Sequence, residues 1–217
     1  MSMPPQRSSE LMRGLCGMAP VIPVLVVEDV RTARILAEVL VRGGLRVLEV
    51  TLRTPAALES IRAMIDVENA YVGAGTLLTS NDVRNAKLAG AKFGVSPGAT
   101  DELLNACEEY GLPLLPGAAT ASEAMQLLSR GYNMLKFFPA EASGGVSVLK
   151  SLAEPLPQIQ FCPTGGVNPR NVVRYLALSN VSCVGGSWVA QREMIGNACW
   201  GDIEALAAEA AKLSQAI

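Results

Sequence analysis

Eight short apolar segments recur along the chain, and their starts lie roughly 20 to 26 residues apart. Each segment is rich in Val, Leu or Phe and is followed by a longer segment with the spacing of an amphipathic helix. The interval is about the length of one strand plus one helix, and strands that alternate with helices form a parallel sheet. The segments are VIPVLVV (21–27), RVLEVTL (46–52), YVGAGTL (71–77), FGVSPG (93–98), PLLPGA (113–118), MLKFFPA (134–140), QFCPTGGV (160–167) and SCVGGSWV (182–189).

Eight such repeats predict a closed (β/α)8 TIM barrel of eight parallel strands, each buried on both faces. An open doubly wound sheet is the alternative, but no GxGxxG motif follows the first segment. The length fits one barrel domain spanning residues 1–217, with residues 1–18 as an N-terminal extension or short helix. Five predicted helix starts carry capping or proline signals: Asp29, Thr54-Pro55, Ser80, Thr100 and Asn168-Pro169.

The chain contains no histidine, which excludes several classes of active site. Ser-His-Asp and Cys-His nucleophile systems need an imidazole, and so do His-based catalytic zinc sites. Acid–base chemistry must therefore use Glu, Asp, Lys, Tyr or Cys, while a carboxylate-bound Mg²⁺ site stays compatible with the composition. The net charge of −2 and the scattered basic residues provide no strong field for nucleic acid or an anionic membrane.

The N-terminal region has no apolar run of the kind that forms a secretory signal. The longest apolar stretch, residues 19–27, is too short to cross a bilayer. Five cysteines, an odd number without CxxC spacing, favour reduced thiols. The sequence therefore predicts a cytoplasmic protein that is not associated with a membrane.

Lys136 is the one lysine of five that lies inside an apolar segment, MLKFFPA. Burial disfavours an ammonium ion, so desolvation is expected to leave some neutral amine, the form that attacks a carbonyl to make a Schiff base. The alternative is a structural lysine that reaches solvent or pairs with an acid. Phe138, two residues later, faces the same side of the strand, where it either surrounds the amine or simply packs in the core.

Glu49 is the one acid of twenty in the middle of a predicted strand. Strand periodicity places Glu49, Thr51 and Arg53 on one face, with Arg53 at the mouth of the barrel. A buried carboxylate near a lysine can move protons between substrate atoms. A structural ion pair of Glu49 with a lysine or arginine is the alternative.

The last two predicted strands end in the glycine-rich sequences TGG (164–166) and GGS (185–187). Phosphate sites in such barrels often form from the loops after strands 7 and 8, where glycines let backbone N–H groups approach an anion. The two sequences at these two positions predict a phosphorylated substrate. Thr76 and Pro97 end the third and fourth strands, where they either contact the substrate or form turns.

Through seven ordered motifs, the chain resembles the bacterial 2-dehydro-3-deoxy-phosphogluconate (KDPG) aldolases. This family overlaps with the 4-hydroxy-2-oxoglutarate (KHG) aldolases. The resemblance extends from about residue 20 to residue 189. The motifs are GGLRVLEVTLRT, VGAGTLL, GVSPGAT, LPGAAT, LKFFPAEASGG, FCPTGGV and GGSW.

The resemblance implies a class I aldolase without cofactor or metal, which cleaves KDPG reversibly to pyruvate and glyceraldehyde 3-phosphate in the Entner–Doudoroff pathway. It implies that Lys136 forms the imine with pyruvate and that Glu49 shuttles protons. Arg53 and Thr76 would hold the pyruvate carboxylate, and Thr164 would lie near the substrate chain. The phosphate would bind at Gly165, Gly166, Gly185 and Ser187. The family is typically a cytoplasmic homotrimer.

Other functions stay open from the sequence. The nearest are aldolases for 4-hydroxy-2-oxoglutarate or for the galactonate epimer, 2-dehydro-3-deoxy-6-phosphogalactonate. A phosphosugar isomerase is a second class, disfavoured by the missing histidine and by the lysine in a buried strand. A non-catalytic phosphosugar-binding barrel is a third, and trapping of an imine with pyruvate separates the last two classes from an aldolase.

Overall fold

The structure, a computed structural model, describes residues 2–213 and has a parallel α/β fold. The strands are β1 (Val21–Leu25), β2 (Val47–Thr51), β3 (Tyr71–Gly75), β4 (Gly94–Val95), β5 (Leu114–Leu115), β6 (Gly117–Ala118), β7 (Met134–Phe137), β8 (Gln160–Pro163) and β9 (Val184–Gly186). The helices are α1 (Pro5–Cys16), α2 (Val30–Arg42), α3 (Ala57–Met64), α4 (Ser80–Leu88), α5 (Asp101–Tyr110), α6 (Ala121–Arg130), α7 (Gly145–Ala153), α8 (Val172–Leu176), α9 (Arg192–Gly196) and α10 (Trp200–Ala211).

The strands pair in parallel in a curled six-stranded sheet, ordered β5-β4-β3-β2-β1-β9, and a three-stranded sheet, ordered β6-β7-β8. Each of the eight apolar segments holds strand residues, as predicted. The fifth segment holds two short strands because Pro116 has no N–H to donate to a neighbouring strand. Its carbonyl still accepts a bond of 2.8 Å from the N–H of Lys136.

The helix starts follow the predicted capping chemistry in part. Asp29 caps α2 by accepting the N–H of Arg31, and Thr100 caps α5 in the same way. Ser80 is the first residue of α4 rather than its cap, since Thr79 forms a capping box there. The two predicted starts that contain proline, Thr54-Pro55 and Asn168-Pro169, lie two to four residues before α3 and α8.

The predicted N-terminal helix, α1, packs against the amino ends of the strands. Ser8 exchanges hydrogen bonds with the backbone of Leu114, and Ser9 accepts the N–H of Asn133. Arg13 bonds the backbone oxygens of Asn133 and Gln158. These bonds satisfy backbone groups that buried strand ends would otherwise leave unpaired.

The apolar side chains of the strands and the inner faces of the helices form a continuous core. A smaller cluster of buried side chains, including Met12, Phe93 and Cys162, links α1 to the strands. In the part of the chain that is described, no helix is both long and apolar enough to span a membrane. The predicted domain bounds of 1–217 include residue 1 and residues 214–217, which lie outside the described residues.

Candidate active site

The side chains of Lys136 and Glu49 meet between the two sheets. Lys136 lies on β7 of the three-stranded sheet, and Glu49 lies on β2 of the six-stranded sheet. The Lys136 Nζ atom is 3.3 Å from Glu49 Oε1, and the two side chains are only 5% and 4% exposed. An unpaired charge at such depth is costly, and each of these two side chains has the other as its partner. The sequence left two roles open for these residues, a catalytic pair or a structural ion pair, and the structure is compatible with both. The side chains form an ion pair, and this pair places an amine beside a carboxylate.

Gly75, on the neighbouring strand β3, makes room for this pair. A Cβ on Gly75 would lie 2.2 Å from Glu49 Oε1, so only a glycine leaves space for the carboxylate. On the other side, the ring of Phe138 lies with its centroid 5.2 Å from Lys136 Nζ. A charged amine is attracted to the face of an aromatic ring at this distance. The structure thus places Phe138, which is half-buried, beside the amine.

Arg53 and Thr76 lie together at the carboxyl ends of β2 and β3. The Nε atom of Arg53 donates to Thr76 Oγ1 over 3.2 Å, and Arg53 is exposed. Thr76 adopts φ of 61°, a left-handed conformation that is rare for a β-branched residue. Such backbone strain is concentrated at functional sites. The pair presents a cation and a hydroxyl to the mouth of the fold, a combination that suits a carboxylate.

The two glycine-rich segments are also adjacent. Thr164 and Gly185 form a parallel β-bridge, and a Cβ on Gly185 would lie 2.2 Å from Thr164 Oγ1. Gly165 and Gly166 have φ of 99° and 82°, which an L side chain rarely adopts. Ser187 is exposed two residues beyond Gly185. Loops of this kind present backbone N–H groups to an anion.

Pro97 lies one strand away from the lysine. A Cβ on Gly117, which is paired with Lys136, would lie 2.2 Å from the carbonyl oxygen of Pro97. Pro97 is half-buried. The structure therefore places the Pro97 backbone next to the strand that pairs with the one carrying Lys136.

Tyr175 and Glu141 form a pair that sequence reasoning missed. The fully buried Tyr175, on α8, donates its hydroxyl to Glu141 Oε1. Burial, followed by the bond to Glu141, raises the pKa of Tyr175. The N–H of Glu141 donates to the carbonyl of Gly165 over 3.0 Å. A Cβ on Gly166 would lie 2.7 Å from the Glu141 side chain. The Tyr175–Glu141 pair therefore holds the TGG loop (residues 164–166) in position.

All five cysteines are free thiols, and four of them are buried. Hydrogen bonds to Cys16 and Cys162, followed by burial, raise the pKa of the Cys183 thiol well above its usual 9.0. Burial raises the pKa of the Cys107 thiol to about 12. These thiols are therefore protonated and unreactive near neutral pH. Within residues 2–213, no cluster of three or more His, Cys, Asp or Glu side chains has an arrangement suited to a metal ion.

A family model for KDPG and KHG aldolases matches residues 12–206. The chain belongs to the KDPG and KHG aldolase family. The expected family and the expected class of enzyme, a carbon–carbon lyase of the aldolase type, are thereby confirmed.

Three relatives illustrate the similarity. The 2-dehydro-3-deoxy-phosphogluconate aldolase of Pseudoalteromonas atlantica is 48% identical over 192 residues, which are 88% of this chain and 89% of that protein. A KDPG aldolase structure from Legionella pneumophila, with pyruvate captured as a covalent carbinolamine, has a TM-score of 0.90 at 45% identity and covers 92% of this chain and 98% of its own. A Zymomonas mobilis KDPG aldolase structure with 3-phosphoglycerate has the same TM-score and identity and covers 96% of this chain and 98% of its own.

Proposed function

We propose that the protein is a class I aldolase that cleaves KDPG reversibly to pyruvate and glyceraldehyde 3-phosphate, with Lys136 as the nucleophile. The observation that carries this proposal is the buried pair of Lys136 and Glu49, whose Nζ and Oε1 atoms are 3.3 Å apart. A class I aldolase needs an amine that forms an imine and a nearby group that moves protons. The carbinolamine captured in the Legionella relative is the intermediate that such an amine forms with pyruvate.

In the proposed reaction, the neutral amine of Lys136 attacks the keto carbon of the substrate and forms a carbinolamine. Glu49 assists the proton transfers through which this intermediate loses water and becomes a protonated imine. The imine then acts as the electron sink for cleavage.

Cleavage begins when Glu49, or a water molecule that it holds, removes the proton of the C4 hydroxyl. The C3–C4 bond breaks, its electron pair moves toward the imine nitrogen, and glyceraldehyde 3-phosphate leaves. The resulting enamine takes up a proton at C3, and water then releases pyruvate and the free amine of Lys136. No step needs a cofactor or a metal ion.

The two ends of the substrate would bind at opposite sides of the amine. Arg53 and Thr76, which are hydrogen-bonded to each other, would hold the carboxylate of the pyruvate part. Phe138 and Pro97 would line the pocket, and Thr164 would lie beside the carbon chain. The phosphate would bind at the glycine-rich loops, at Gly165, Gly166, Gly185 and Ser187. The Zymomonas relative, whose structure contains 3-phosphoglycerate, is consistent with a phosphate site in this family.

We also infer that the two sheets form one closed eight-stranded barrel within a single domain. β5 and β6 are halves of one apolar segment, so they join the sheets at one seam. At the other seam, bridges pair Phe161 with Val181 and Thr164 with Gly185. From the family resemblance, we further propose a homotrimer located in the cytoplasm, acting in the Entner–Doudoroff pathway, with no nucleic-acid or membrane partner.

The proposal is tested by pyruvate release, coupled to NADH oxidation, from KDPG, its galactonate epimer and 4-hydroxy-2-oxoglutarate. We expect the highest kcat/KM for KDPG, and we expect Lys136→Ala to abolish turnover of all three. Lys150→Ala, on α7, is the matched control and should keep the wild-type rate. Comparable rates on the unphosphorylated acid would identify a broader pyruvate aldolase. Release of no pyruvate, or a normal rate for Lys136→Ala, would contradict the mechanism.

A further inference from the structure

A cavity of about 290 Å³ opens at the carboxyl ends of β1 and β9. It is lined by two residues already assigned to the substrate, Arg53 and Ser187, and by Gln191, Arg192 and Glu193 from the segment that follows. Its volume is close to the lower end of small-molecule sites, about 300 Å³. The cavity therefore extends the proposed substrate site beyond the residues that the sequence motifs indicate.

The phosphate residues proposed above carry no formal charge. Gly165, Gly166 and Gly185 offer backbone N–H groups, and Ser187 offers one hydroxyl. A phosphate monoester carries a charge of about −1.5 to −2 at neutral pH. Arginine is suited to such a group because its planar guanidinium binds two phosphate oxygens at once. Arg53 already bonds Thr76, with which it is proposed to hold the carboxylate of the substrate.

Arg192 is the second arginine of the cavity, and it is only weakly engaged. Its guanidinium is 3.4 Å from Glu28 Oε1, and the two side chains are 52% and 64% exposed. Exposed pairs of this kind contribute little to stability. Arg130 is different: its side chain is 24% exposed and is held by Glu108 and Asp101. Arg192 can therefore exchange Glu28 for a stronger anion at little cost.

We propose that Arg192 is a specificity-determining residue that binds the phosphate group of the substrate and favours phosphorylated over unphosphorylated sugar acids. In the free enzyme, Glu28 acts as a replaceable counterion for the guanidinium. The inference rests on the proposed aldolase activity for the identity of the substrate. The affinity of the cavity for a phosphate anion can be tested without that activity.

The kinetic test compares Arg192→Gln with Arg31→Gln. Arg31 lies three residues after Glu28, in the first turn of α2, but it is 90% exposed, pairs with Asp29 and does not line the cavity. Arg192→Gln should lower kcat/KM for KDPG about tenfold or more, mainly through KM, because a charge-assisted contact is lost. The kcat/KM for 4-hydroxy-2-oxoglutarate should not change, and Arg31→Gln should match the wild type on both substrates.

An equal loss on both substrates, or an unchanged KM for KDPG, would overturn the proposal. Binding of inorganic phosphate, titrated by calorimetry with the same three proteins, separates this inference from the proposed function. Weaker binding to Arg192→Gln alone supports the assignment even if the wild type cleaves none of the tested acids. Equal binding by all three proteins refutes it even if the wild type is an active aldolase.

Discussion

Replacing Gly75 with alanine tests whether the position of the Glu49 carboxylate matters for the reaction. The new methyl group would lie 2.2 Å from Glu49 Oε1, whereas ordinary contacts begin at 3.4 Å. The carboxylate must therefore retreat by about 1.2 Å, or the strand must shift by as much. Since Glu49 Oε1 is 3.3 Å from Lys136 Nζ, a movement of this size away from the amine breaks their hydrogen bond, and any other movement changes its geometry.

A misplacement of about 1 Å in an active site can lower the rate about 100-fold. We therefore expect Gly75→Ala to lower kcat for KDPG cleavage by about two orders of magnitude, and overpacking should cost about 1–3 kcal/mol of folding stability. Steady-state kinetics of pyruvate release measures the first effect, and urea unfolding measures the second. Gly201→Ala is the matched control, because a Cβ on Gly201 meets nothing within 4 Å.

Trapping of the imine separates loss of proton transfer from loss of the fold. Gly75→Ala still carries Lys136, so borohydride with pyruvate should label it, although more slowly than the wild type. A folded Gly75→Ala protein with the kcat of the wild type would refute the reasoning, because Glu49 would then act from a displaced position or not at all.

Three further predictions concern other parts of the molecule. Glu49→Gln should lower kcat by about 10²- to 10⁴-fold, the range of general acid–base catalysis, and a loss below tenfold in steady-state assays would contradict its role. Tyr175→Phe removes only the hydroxyl that bonds Glu141 beside the TGG loop. The KM for KDPG should therefore rise about threefold or more, while the KM for 4-hydroxy-2-oxoglutarate stays constant. Equal changes in both KM values would contradict a positioning role for Tyr175. Burial raises the pKa of Cys107 from 9.0 to about 12, and the unfolded chain therefore releases this proton first as the pH rises. The contribution of this thiol to the free energy of unfolding is therefore present below pH 9.0 and is lost between pH 9.0 and about pH 12. Urea unfolding at several pH values should show a smaller loss of stability over this range for Cys107→Ala than for the wild type.

The strands were predictable from the sequence because burial on both faces leaves a plain apolar signal. Lys136 and Glu49 stood out for the same reason, since a charged side chain inside such a segment needs a partner. Strand periodicity could orient each of them, but only the folded chain sets the 3.3 Å between their side chains. The break of the fifth strand at Pro116 was not predicted, because the apolar pattern continues across the proline although it cannot donate to a neighbouring strand.

Other features depend on contacts between distant parts of the chain. Tyr175 carries no local sign that its hydroxyl reaches Glu141, and helix periodicity predicts only that it is buried. The left-handed conformation of Thr76 could not be predicted from the sequence either, because threonine disfavours this conformation and tertiary contacts must impose it. The position of Arg192 in the cavity also follows from the path of the chain after β9 rather than from a motif.

The central claim is that Lys136 forms a covalent imine with pyruvate. Its most direct test is to treat the protein with borohydride in the presence of pyruvate and to map the modified peptide by mass spectrometry. We expect a stable adduct on the peptide that contains Lys136, and no adduct in a folded Lys136→Ala protein. An adduct on another lysine, or none in the wild type, would contradict the role of Lys136 as the nucleophile.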